Sequence, residues 1–213
     1  MRKIRGAFLH SLYDWLAEAD PPSEVDLIFA LAGRQSRKVG ALSLFREGRA
    51  PRLLLSTARF EIRHFAKLDL PHPVNLQQAA SAIPPQQRHF FVIFEGSQAQ
   101  VGLVPVRGFG TLGEVQALGN WLRQHPEIRS LLVVSSGAHL RRVRMCCQVL
   151  LPEPLKWRIV AVVDENPWLN RDGWWRERHA TALVLSELAK LLLYRLVLGR
   201  RGKQLHPPAN AEG

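Results

Sequence analysis

The chain has 213 residues, 46% of them hydrophobic, with 29 Lys and Arg against 18 Asp and Glu for a formal charge of +11. That size suits one α/β domain with terminal extensions, and the basic excess favours anionic partners: phosphorylated metabolites, acidic lipid or nucleic acid. No apolar run approaches the roughly 18 residues of a membrane span, and the only cysteines, Cys146 and Cys147, are adjacent, which excludes a disulfide framework and a tetrahedral metal site closed by that pair.

Residues 1–22 read as an amphipathic helix packed on the domain. Its apolar spacing at Phe8, Leu12, Trp15 and Leu16 is helical, and His10 and Asp14 interrupt what would be a signal-peptide core. Val25–Ala32 is a short apolar run ending at Gly33, the mark of a buried strand. Helical spacing follows over 36–47 and stops at Gly48. A second strand is predicted over 51–57 and a weaker helix over 59–68. Residues 69–88 carry four prolines and little periodicity, and read as a loop or insertion.

Two apolar runs, 90–95 and 100–106, flank Gly96-Ser97-Gln98 and predict a hairpin. A helix over 112–124, a strand over 131–134 and a helix over 139–150 come next. A last strand over 157–163 precedes a long helix over 174–198 that ends at Gly199. The fold class is therefore α/β: a Rossmann-like three-layer sandwich with a mainly parallel sheet and an extra hairpin near 90–106. The domain itself spans 23–199, and 200–213 reads as a basic, disordered tail.

In such a fold, ligands sit beyond the carboxyl ends of the strands. Gly33, Arg34 and Arg37 follow the first strand, Ser56, Thr57 and Arg59 the second, and Arg107, Thr111 and Glu114 the run that closes the hairpin. Ser135, Ser136, His139 and Arg142 follow the next strand, and Asp164, Glu165 and Asn166 the last. Asp26 falls at the opposite rim and is set aside. Gly33 alone marks a tight turn, since no complete GxGxxG is present. Arg34 and Arg37 place cations at a helix start, against the helix dipole, a conflict an anionic ligand relieves. Thr111 and Glu114 have the spacing of a capping box, which takes precedence over ligand contact. Ser135 and Ser136 form no nucleophile elbow and read as hydroxyl donors beside an anion.

His139 and Arg142, three apart, share a helix face. His139 is the best candidate for a general acid or base. Arg142 would hold the ligand's charge through a bond worth about 1.5–3 kcal/mol. Glu187, Lys190 and Tyr194 read as a polar stripe with a surface ion pair worth about 0.2–0.5 kcal/mol. Trp168, Trp174 and Trp175 read as packing. No metal-ligand spacing occurs. The basic clusters at 34–38, 141–144 and 200–203 lack the dense stripe and interleaved aromatics of a nucleic-acid surface, so nucleic acid is not the expected partner.

The blocks Val25–Gly33, Arg37-x3-Ala41, Thr111-x2-Glu114, Leu132–Ser136-x2-His139-Leu140-x-Arg142 and Glu187-x2-Lys190-x3-Tyr194 resemble the YdcF-like family of domain-of-unknown-function proteins, which includes SanA/ElyC-type envelope proteins. The resemblance implies a Rossmann-like fold, a ligand pocket at the strand ends, a link to bacterial cell-envelope biogenesis, and S-adenosylmethionine as a suggested ligand. The chain departs from the family where the first glycine-rich turn is reduced to Ala32-Gly33-Arg34 and where the second strand ends in Ser56-Thr57. The membrane-spanning start of many members is also missing. The expected function is binding of a phosphate- or nucleotide-containing small molecule by a cytoplasmic protein, with no cofactor or reaction assigned. The alternative is a non-enzymatic basic protein docking on acidic membrane or protein surfaces.

Overall fold

The computed structural model of the chain describes residues 2–108, 110–162 and 169–205. Asp164, Glu165, Asn166 and Trp168 of the expectations above lie outside the described residues. The strands are β1 (Leu27–Ala30), β2 (Arg52–Ala58), β3 (His89–Glu95), β4 (Gln98–Leu103), β5 (Ser130–Ser136) and β6 (Lys156–Val162). The helices are α1 (Arg2–Leu16), α2 (Gln35–Arg46), α3 (Ile62–Phe65), α4 (Leu76–Ala80), α5 (Gly110–Leu122), α6 (Leu140–Leu150) and α7 (Arg178–Leu205). They build an α/β structure on one six-stranded sheet of order β4-β3-β2-β1-β5-β6.

β1 is parallel to both β2 and β5, and β6 is parallel to β5. The β3–β4 hairpin adds two antiparallel pairs at the β2 edge. Each side of β1 feeds a separate core. Leu27 and Phe29 pack with Leu131, Val133 and the apolar sides of α5 and α6. Ile28 and Ala30 pack with Leu53, Leu55, Leu132 and α2. Burial on both faces explains why this strand is a continuous apolar run rather than an alternating one.

Chain direction decides what reaches the rim. β3 runs back from the carboxyl end of β2, where His89 pairs with Ala58. β4 reverses again, so α5 starts at the same rim as the turns after β1, β2 and β5. On the other rim Asp26 accepts hydrogen bonds from the Arg129 and Ser130 amides, both at 2.8 Å, and ties β1 to β5. Its exclusion from the rim site agrees with that placement.

Four expectations are corrected. Residues 69–88 are not structureless: α4 lies within them, capped by the Asn75 side chain on the Gln78 amide, and Leu76 and Ala80 enter the core. Five helical residues are too few to show a period. The second hairpin strand stops at Leu103 instead of 106. On α1 the packed side chains are Leu9, Leu12, Tyr13 and Leu16, while Phe8 and Trp15 are exposed. α7 continues through Gly199 to Leu205, inside the segment expected to be a tail. One glycine costs a helix only about 1 kcal/mol and does not end it, and the next proline is Pro207.

Candidate functional site

Arg37 opens the site from the first turn of α2. It is 9% exposed, yet its guanidinium meets no carboxylate within 4.0 Å among the described residues. Instead Nε and Nη2 donate to the Ser136 hydroxyl at 3.2 and 2.9 Å, and Nη1 donates to the Ala32 carbonyl at 2.8 Å. One hydrogen on each terminal nitrogen has no acceptor among the described residues. Burial lowers its pKa; Glu114 opposes this, and the charges of Arg142 and Arg34 add to it. Gly33 lies directly against this group. Its φ of +121° is one that side chains avoid, and a Cβ there would sit 3.0 Å from Arg37 Nη1.

Glu61 holds the turns after β1 and β2 together. Oε1 accepts from the Gly33 amide and from Lys38 Nζ, both at 2.7 Å, and Oε2 accepts from the Ala58 amide at 2.8 Å. Both Lys38 and Glu61 are buried.

Glu114 of α5 does not close a capping box. α5 begins at Gly110, so Thr111 already lies inside the helix. The Glu114 carboxylate turns into the sheet, where Oε1 accepts from the Ala32 amide at 2.8 Å and from Ser56 Oγ at 2.6 Å. Ser56 Oγ also lies 2.7 Å from Nε2 of His89. Burial, partly opposed by Glu61, pushes the His89 pKa down to about 4.

A second ionic group stands behind α5. Arg142 donates through Nε to Glu187 Oε2 at 2.7 Å, and through Nη1 to Thr111 Oγ1. His139 Nδ1 is 3.1 Å from Glu187 Oε1 and 3.1 Å from Arg142 Nη2. Lys190 Nζ reaches the same carboxylate at 2.7 Å. Glu187 is fully buried, which corrects its reading as half of a surface ion pair. Burial would raise its pKa, but hydrogen bonds and charge from His139 and Arg142 hold it far below the carboxylate range. Burial lowers the His139 pKa, opposed by Glu187 and aided by the charges of Arg37 and Arg142. Burial also raises both thiols, Cys146 to about 12, as a packed helix face requires.

These groups surround an open cleft of roughly 720 Å³ at the strand ends. Arg37, Arg59, Arg88, Arg142 and Lys190 line it, with Glu114 the only carboxylate among the described lining residues. Of the expected site residues, Gly33, Arg37, Thr111, Glu114 and Arg142 lie on its wall. Arg34, Ser56, Ser135, Ser136 and His139 do not. β5 extends to Ser136, so both serines are still inside the sheet and fully buried. Ser136 holds Arg37 in place, and the Ser135 hydroxyl has no hydrogen-bond partner among the described residues. His139 packs behind Arg142.

No protein-family model, curated protein or solved structure matches the chain.

Sequence reading missed Lys38, Glu61, Arg88 and His89, while Arg59, expected at the rim after the second strand, does line the cleft. For His89 a signal was available. A hairpin strand antiparallel to β2 returns its first residue to the rim, so the residue preceding the 90–95 run belonged among the candidates. Nothing local marks Lys38 or Glu61 as a buried pair. Among the described residues no three His, Cys, Asp or Glu are grouped to hold a metal ion, and no helix is long and apolar enough to cross a membrane.

The depressed His89 pKa makes a prediction about acid sensitivity. A group whose folded pKa lies below its unfolded value of about 6.5 binds more protons when unfolded. Stability is therefore full above pH 6.5 and falls as the pH drops toward 4. Urea midpoints between pH 7.5 and 4.5 should show this slope, and His89→Gln should flatten it. An equal slope in both proteins would rule out His89 as its source.

Proposed function

We propose that this protein binds a phosphate- or nucleotide-containing small molecule at the strand-end cleft, within a Rossmann-like three-layer domain. The observation that carries the reading is Arg37, a buried guanidinium without a carboxylate partner among the described residues that lines a cleft rich in cations. A buried charge normally has a counter-charge; here the ligand would provide it. Arg142 stands on the same wall with its charge already opposed by Glu187, so it adds donors more than net field. The YdcF-like resemblance supports the same rim and would connect the ligand to envelope chemistry.

S-adenosylmethionine does not suit these residues. It carries a sulfonium and a net positive charge, and the described residues of the cleft wall set five cationic side chains, two of them opposed by Glu187, against one carboxylate. The alternative of docking on an acidic membrane draws on the exposed Leu185, Leu192 and Leu196 of α7. The nearby Arg141 and Arg144 are paired with Glu18 and Asp20, which leaves the cleft as the better-supported site.

Adenosine monophosphate and inorganic phosphate are the probes for calorimetric titration at low salt. Arg37→Met keeps the buried stem and removes the charge. One charge-assisted contact is worth about 1.5–3 kcal/mol, so affinity should fall roughly 10- to 150-fold. No binding by the wild-type protein, or equal binding by a folded Arg37→Met variant, overturns the proposal.

A further inference from the structure

The hydrogen-bond chain at Glu114 has a forced direction. An ionised carboxylate only accepts, so the Ser56 hydroxyl hydrogen goes to Glu114 Oε1 at 2.6 Å. With its hydrogen committed, Ser56 Oγ must accept from His89 Nε2–H at 2.7 Å. A neutral His89 then carries its proton on Nε2 and has a bare lone pair on Nδ1. The Ser56–His89 contact has the look of a nucleophile and its base, but Ser56 is fully buried and its hydrogen points to Glu114. Its role here is to hold Glu114 and His89 in place.

Two acceptor atoms remain without any described hydrogen-bond donor: Glu114 Oε2 and His89 Nδ1. Both residues line the cleft, and Glu114 is 6% exposed. Arg37 contributes unused N–H groups to the same space. The cleft therefore has a donor end and an acceptor end. A bare anion satisfies the first and is repelled at the second. An ammonium group would suit the acceptors but enters the field of Arg37, Arg59 and Arg88, which have no ion-pair partner among the described residues. A neutral hydroxyl meets neither objection.

We infer that the cleft takes a phosphorylated polyol of the sugar phosphate class, with the phosphate on Arg37 and Arg142 and hydroxyls donated to Glu114 and His89. This rests on the anion-binding reading above and narrows it.

The test titrates the full chain with inorganic phosphate, ribose 5-phosphate and 2-deoxyribose 5-phosphate at fixed ionic strength. Ribose 5-phosphate should bind about ten-fold or more tighter than inorganic phosphate, as expected for a hydrogen bond to a charged acceptor. Glu114→Gln retains an oxygen for the Ala32 amide and Ser56 but turns a donor toward the cleft. It should abolish most of that advantage and leave inorganic phosphate bound as well or better. The deoxy sugar tests the same bond from the ligand side without any variant. Equal affinity for all three ligands, or an unchanged preference in folded Glu114→Gln, overturns the inference and leaves anion binding standing. Failure of the wild-type protein to bind any of them overturns both.

Discussion

Glu187→Ala should destabilise the protein by about 3–5 kcal/mol, the range for removing one partner of a buried ion pair. The Arg142 guanidinium and the His139 ring would remain in the interior with no carboxylate, while Lys190, which is exposed, simply turns to water. Urea unfolding followed by circular dichroism measures the loss. The double variant Arg142→Met with Glu187→Leu should recover much of it, because apolar side chains of similar volume often replace a buried pair at little cost. The two results together separate the penalty of an orphaned charge from the worth of the pair. A loss below about 1 kcal/mol for the single variant would mean the group behaves as a surface pair.

Glu61→Ala should have an effect of similar size, about 3–5 kcal/mol, for a different reason. Besides the Lys38 ammonium, this carboxylate satisfies the amides of Gly33 and Ala58. Its removal orphans a buried cation and two backbone donors together. Lys38→Met should cost clearly less, because Glu61 keeps both amides and loses only its counter-charge. The order of the two variants is the diagnostic: equal losses would show that the amide bonds contribute nothing beyond the ion pair. Gly33 also lies against Arg37, so Glu61→Ala should weaken phosphate binding even in the fraction that stays folded.

The fold was legible where one local pattern decided the outcome. Apolar runs such as Val25–Ala32 and Leu131–Val134 gave strands because both their faces are buried, and the hairpin around Gly96 followed from its turn. The site was only half legible. Chain direction alone put Gly33, Arg37, Thr111, Glu114 and Arg142 at the rim whose cleft they line, since every strand end there is a candidate. What they bond to was hidden, because each partner comes from a distant element. Glu114 matched a local capping pattern, but the Ala32 amide and Ser56, 82 and 58 residues away in sequence, claimed its carboxylate. Glu187 shared a helical stripe with Lys190, and spacing cannot tell an outer face from one pressed against α6. Its burial was decided by where α7 docks, a tertiary fact with no local trace.

The β3–β4 hairpin gives the molecule a parity. Two reversals restore the direction of travel, so the whole hairpin is a removable detour: a chain passing straight from β2 to α5 would still deliver Thr111 and Glu114 to the same rim. Losing one strand alone would not be neutral. An odd number of reversals would send the start of α5 to the Asp26 side and strand its carboxylate at the wrong pole of the sheet. Lineages or designs that vary this edge should therefore add or delete strands in pairs, and with the pair goes His89.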